Sequence, residues 1–340
     1  MTARRLLLAV VLGVAALAAA LALSCAVGAQ PISLARAFAG EEPDRSILLG
    51  LRVPRALLGA CVGCALAAAG AALQALLRNP LAEPFVLGVS GGAALGGTSV
   101  LLAATLVAQA HGTAGALLAS ASPVALGAIA GAAGATLLVF ALGRVGGRII
   151  PESALLVGVV FNAFAAAVIT LVKVLVPPDQ AARLLYWLMG AIGYETPGTL
   201  AVAAAAIVAS VGGLVLLSAR LNLLALGDEE AASLGVDVAR ARGLVLLAAS
   251  AATGAAVALS GLVGFVGLIV PHALRRIAGP DHRILVPTSA LFGAAFLVLA
   301  DACARVLFVT LGTEPPVGAL TAFAGGPLFL WLLRRGERGA

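Results

Sequence analysis

Apolar residues run along this chain in blocks long enough to cross a membrane, since a helix needs about 20 of them to span a hydrocarbon core about 30 Å thick. Such blocks lie near residues 6 to 28, 55 to 77, 85 to 108, 121 to 142, 153 to 176 and 197 to 218. The apolar stretch from Gly243 to Ala278 is too long for one crossing. Arg242 precedes it and Arg275 and Arg276 stand at its far end, and because arginines favour the cytoplasmic side this predicts a hairpin turning near Gly261 to Gly264. Blocks near 284 to 308 and 316 to 333 bring the expectation to about ten crossings.

One polar interruption stands out, the sequence RNPLAEP at residues 78 to 84. Pro80 and Pro84 each remove a backbone donor, so this segment must lie at an interface or line a protein cavity. Such a break fits a translocation path; an ordinary polar turn capping two helices is the plainer alternative.

Composition fixes the class. Of 340 residues, 62% are hydrophobic and 11% charged, with a mean hydropathy of +1.12, whereas soluble domains carry about 25% charged residues. With aromatic residues at only 4% and 41 glycines, helix contacts are expected to rest on small residues that let backbones approach closely. No polar stretch is long enough to fold separately, so residues 1–340 read as one transmembrane domain: a first span, a first repeat at 55–176, a sixth span at 197–218, an inside loop at 219–242 and a second repeat at 243–334.

Placing the N-terminus inside assigns fourteen of the 21 basic residues to the inner side, so both termini are predicted cytoplasmic in a multi-pass protein of the cell (inner) membrane. The first block, about 22 residues, exceeds the 7–15 of a signal peptide and reads as an uncleaved span. The net charge of +6 reflects arginines facing anionic lipid and not a nucleic-acid site.

Candidate chemistry is sparse. Cys61 and Cys64 read as small buried residues, and His111, His272 and His282 fall in three separate segments without the spacing of a metal site. Lys173 is the only lysine and is followed by Val174, so the phosphate-binding loop G-x-x-x-x-G-K-[ST] is absent. If ATP drives this chain, another subunit binds it. Asp301 and Arg305 can pair across one helical turn or act in function, and Gln74 and Asn162 read as interhelical hydrogen-bond partners or ligands.

Seven strings in order resemble the FecCD-type permease subunits of ATP-binding-cassette importers for iron-siderophores, haem and vitamin B12: LRVPR (51–55), GAALQALLRNPLAEPFVLGVSGGA (70–93), YWLMG (186–190), LGDEEAASLGV (226–236), GFVGLIVPHALRRIAGPDHR (264–283), ADACAR (300–305) and EPPVGALTAFAGGPLFLWLLRR (314–335). The resemblance implies an all-α polytopic fold of ten helices with inverted repeats, the type II importer permease. It implies no catalytic activity and no cofactor of its own. ATP-Mg would be held by two cytoplasmic ATPase subunits, beside a second copy of this chain, a periplasmic or lipid-anchored substrate-binding protein and membrane lipid. Iron(III)-siderophore is the first-ranked cargo, vitamin B12 or haem the alternative, and an ion-coupled secondary transporter the lower-ranked reading from another class.

The same resemblance assigns roles to positions. Asn79 and Leu81 would constrict a cytoplasmic gate together with Pro151 and Glu152, although these last two depart from the small hydroxyl residues usual there. Leu226, Gly227, Asp228, Glu229, Glu230, Ala231, Leu234 and Gly235 would form the element that couples to the ATPase, with three acids suited to the start of a short helix. Arg52, Arg55 and Arg305 would receive acidic residues of the binding protein, since a guanidinium fork matches a carboxylate.

Overall fold

Backbone groups in a bilayer have no water to bond, so apolar blocks close their hydrogen bonds internally as helices. The computed structural model describes residues 3–28, 30–85, 87–111, 121–145, 148–149, 151–193 and 197–336. In order these form α1 (Ala3–Ala26), α2 (Leu34–Ala39), α3 (Asp44–Ile47), α4 (Val53–Leu76), α5 (Val89–His111), α6 (Ala121–Leu142), α7 (Pro151–Leu175), α8 (Pro178–Leu188), α9 (Pro197–Leu226), α10 (Asp228–Ser233), α11 (Val238–Ser260), α12 (Val266–Ala278), α13 (His282–Leu311) and α14 (Val317–Gly336). A π-helical turn, Leu48–Arg52, joins α3 to α4. Between α6 and α7, β1 (Arg144–Val145) pairs antiparallel with β2 (Arg148–Ile149).

Among the described residues seven helices are long and apolar enough to cross a membrane, with shorter apolar stretches at Leu126–Leu142 in α6 and Val317–Phe329 in α14. The tenth membrane element is α12. Its 13 residues reach only about 20 Å at 1.5 Å per residue, short of the full hydrocarbon thickness. The hairpin expected near Gly261 to Gly264 is the break between α11 and α12, with Gly261 and Val263 buried.

Contacts at the helix ends fix the directions. Arg55 at the start of α4 meets Asp301 late in α13, so these helices run oppositely. Leu76 and Leu77 share a small cavity with Val139 and Phe140 at the end of α6, Ala154 at the start of α7 and Leu246 in α11. It follows that α4–α7 run down, up, down and up, while α11–α14 run up, down, up and down. This is the inverted-repeat arrangement, with α12 as the half-length member.

The bundle is built around α4 and α11, whose most apolar windows are 78% and 72% buried, against 11% for α1 and 22% for α7, which expose apolar faces as lipid-facing helices do. Small residues allow this density. Gly92 and Gly96 on α5 lie against Gly131 and Gly127 on α6, two G-x-x-x-G pairs in which an added Cβ would overlap the partner's carbonyl. On α4, Gly63 meets Gly293 of α13 and Gly70 meets Gly267 of α12 in the same way.

Gly70→Ala is expected to destabilise the chain by about 1–3 kcal/mol, because the obstacle is the Gly267 carbonyl and not a side chain that can rotate away. Gly134→Ala, where nothing lies within 4 Å, should leave the denaturant midpoint in detergent unchanged. Equal midpoints for the two variants would remove the argument for backbone contact between α4 and α12.

Candidate translocation path and docking surfaces

The polar connector after α4 begins with a strained residue. Arg78 adopts φ 48° and closes the helix as a Schellman turn, its N–H donating to Ala75 and that of Asn79 to Gln74. Glycine is usual at this position; an arginine is held there by its own side chain, which donates to Asp228 Oδ1 at 2.7 Å and to the Leu224 carbonyl at 3.3 Å. The half-buried Asn79 accepts from the Leu81 N–H at 2.9 Å, a local turn that satisfies the backbone on either side of Pro80. From there the connector turns back into the bundle. Glu83 accepts the Phe265 N–H at the head of α12, and the amide of Asn162, midway along α7, donates to the Phe85 carbonyl.

The two broken segments thus meet. Pro271 inside α12 has no N–H, so the Gly267 carbonyl four residues earlier loses its helical partner. Gln74 Nε2 supplies one at 3.3 Å and also reaches the Leu268 carbonyl at 3.4 Å, while Arg275 donates to Gln74 Oε1 at 3.0 Å. Gln74 is an interhelical partner in this structure, and Asn162 ties α7 to the connector.

At the same end of the bundle α9 runs to Leu226, and Gly227, at φ 149°, lets the chain turn into α10. Asp228, Glu229 and Glu230 fill its first turn, where the helix dipole favours negative charge. Ala231 is fully buried and anchors it, whereas Glu229, Glu230, Leu234 and Gly235 are exposed. Leu226 and Leu234 are 64% and 60% exposed, an apolar pair beside two acids. Asp228 accepts from Arg242 Nη2 at 2.6 Å as well as from Arg78. The 226–235 segment is therefore bonded to the connector. Nearby, burial alone would raise the Asp281 carboxyl, but the Asn222 amide and the backbone N–H and guanidinium of Arg283 outweigh it and hold it below its ordinary value.

At the opposite end the three expected docking arginines are not free forks. Arg55, 8% exposed, donates to both oxygens of Asp301 at 2.7–3.1 Å and to Glu314. Arg305, 7% exposed, shares Asp301 at 3.1 Å and reaches the Val27 carbonyl and Ser24. Arg52 closes on the carbonyls of Cys25, Ala26 and Gln30. Arg55 and Arg305 on the buried Asp301, with Arg52 closed on the end of α1, tie α1, the start of α4, α13 and the segment before α14 together. The physical reason is that a guanidinium this deep needs every donor satisfied locally.

Of the expected gate residues, Asn79 and Leu81 lie in the connector. Pro151 and Glu152 open α7, and their side chains fall outside the described residues; the next turn, at Ala154, lies beside Leu76 and Leu77. Sequence reasoning passed over Glu83 and Glu314. A carboxyl framed by Pro80 and Pro84 between two apolar blocks was the available signal for the first; the second carried none.

A helical membrane protein with two opposed broken segments and a short exposed helix at one end has the architecture of a type II importer permease. Residues 16–335 match the FecCD transport family, and the chain belongs to it. It is 39% identical over 303 residues to the cobalamin import system permease protein BtuC of Halobacterium salinarum, covering 88% of this chain and 76% of that one. It is 40% identical over 294 residues to the hemin transport system permease protein HmuU of Yersinia pestis, covering 85% and 83%. A solved structure in an inward-facing conformation, assigned to the metal-chelate type of ABC transporter, superposes with a TM-score of 0.81 at 29% identity over 97% of this chain and 99% of that one.

Proposed function

We propose that this chain is the membrane subunit of an ATP-driven importer that carries a metal chelate inward, two copies working with two separate ATPase subunits and an external binding protein. The observation that carries this reading is the short helix α10 with its flanks: Glu229 and Glu230 on it and Leu226 and Leu234 at either end are exposed to a partner, while Asp228 bonds the connector beneath. ATP is hydrolysed elsewhere, and α10 receives the movement. This end, where α1 starts and α14 finishes, is the cytoplasmic one.

The cargo is a chelate of iron or cobalt, with iron(III)-siderophore put first and vitamin B12 or haem as the alternatives suggested by the relatives. Asn79 and Leu81 narrow the path at its inner end, facing the head of α7 where Pro151 and Glu152 stand. The binding protein docks at the Arg55 end. Its acids would compete there with Glu314, the partly exposed acid of the cluster, for the Arg55 guanidinium.

The test is native mass spectrometry of the tagged chain, gently extracted from its own cells. Two copies with two ATPase subunits are expected. A chain or homodimer reproducibly free of any ATPase, with uptake driven by an ion gradient, would overturn the proposal in favour of a secondary carrier.

A further inference from the structure

Among the described residues only Arg78 and Phe265 combine a side chain with positive φ, 48° and 68°. Each lies at a break in the bundle, and each is held by a carboxylate from a distant part of the chain. Asp228 of α10 holds the Arg78 guanidinium, and Glu83 of the connector accepts the Phe265 N–H. Backbone strain of this kind costs about 1–3 kcal/mol per residue and persists where surrounding contacts over-determine it.

The setting of Phe265 sharpens the point. It is the capping residue of α12, yet no side chain of its own caps that helix. Glu83 brings its oxygen to the positive end of the helix dipole from another element. Around this contact Pro84 lies against Gly267, and Gly325 of α14, having no Cβ, admits the Phe265 ring. Arg78 and Glu83 are five residues apart, a reach of about 17 Å at most, so the connector is a short strap with a carboxylate contact at each end.

We propose that Glu83 is the positioning residue that makes this strap transmit: displacement of α10 pulls Arg78 through Asp228, and Glu83 passes it to the half-helix α12, so that connector and α12 move as one gate element. The inference rests on the importer reading above for its driving force, while the Glu83–Phe265 link itself does not.

Hydrogen exchange on the purified chain reads that link without any transport. Glu83→Ala should speed exchange of the Phe265 amide about ten-fold, and Glu83→Gln, which keeps the acceptor oxygen, should not. Equal exchange in wild type and Glu83→Ala overturns the link. In liposomes holding the complete complex with a ferric siderophore as cargo, Glu83→Ala should lower uptake per ATP hydrolysed about ten-fold, with Glu83→Gln near wild type.

The double variant Glu83→Ala with Phe265→Gly separates transmission from folding, because glycine accepts φ 68° without strain and needs no pinning. Its yield should recover and its uptake should not. Recovery of uptake, or unchanged uptake in Glu83→Ala, overturns the proposal. Failure of wild type to take up chelate with ATP sinks the importer reading instead, and the exchange result then judges the link alone.

Discussion

Asp301→Ala is expected to destabilise the chain by about 3–5 kcal/mol, read as a lowered denaturant midpoint in detergent. The carboxylate is 1% exposed and accepts from Arg55 and Arg305, each under a tenth exposed. Its removal leaves two buried guanidiniums facing each other with Glu314 as the remaining acid. A surface ion pair would contribute about 0–1 kcal/mol, so the size of the loss reports burial. Replacing Asp301, Arg55 and Arg305 together by apolar residues of similar volume should recover most of the loss, because the penalty lies in the uncompensated charge. An unchanged midpoint in Asp301→Ala would mean that the arginines turn to water unaided, and then they are available to a docking protein in the way the resemblance implied.

Arg78→Gly is expected to lower uptake per ATP about ten-fold while leaving ATP hydrolysis by the complex within about two-fold. Stability should change by less than about 1 kcal/mol, since glycine adopts φ 48° without penalty and the side chain it replaces is at the surface. The Asp228–Arg242 pair stays in place, so α10 keeps its shape and its exposed face. What is cut is the bond from α10 to the connector. Arg78→Lys, which keeps a charge but loses the fork that reaches both Asp228 and the Leu224 carbonyl, should fall between the two. Coupled uptake at the wild-type ratio in Arg78→Gly would show that α10 acts on the bundle through α9 or α11 instead.

The same residues show where sequence reading succeeded and where it stopped. The ten membrane elements were legible because apolar length and arginine placement are local properties. The start of α10 was legible from three consecutive acids and a glycine. The pairing of Arg55 with Asp301 was not legible, because nothing local to Arg55 announces an acid 246 positions away. The break at Gly261 to Gly264 was legible from the arginines at either end of one long apolar stretch. The 13-residue length of the helix that follows was not legible, because a continuous apolar stretch does not announce where its helix starts.

By itself the sequence determined the class of protein and the number and order of its membrane elements, because a bilayer demands apolar length and internally bonded backbone wherever the chain crosses it. Only the tertiary structure decided which polar groups answer one another: Gln74 with the carbonyl that Pro271 leaves open, Glu83 with Phe265 across 182 residues, Asp301 with two arginines. In a low-dielectric interior an unpaired polar group is costly, so its partner is fixed by proximity in the fold.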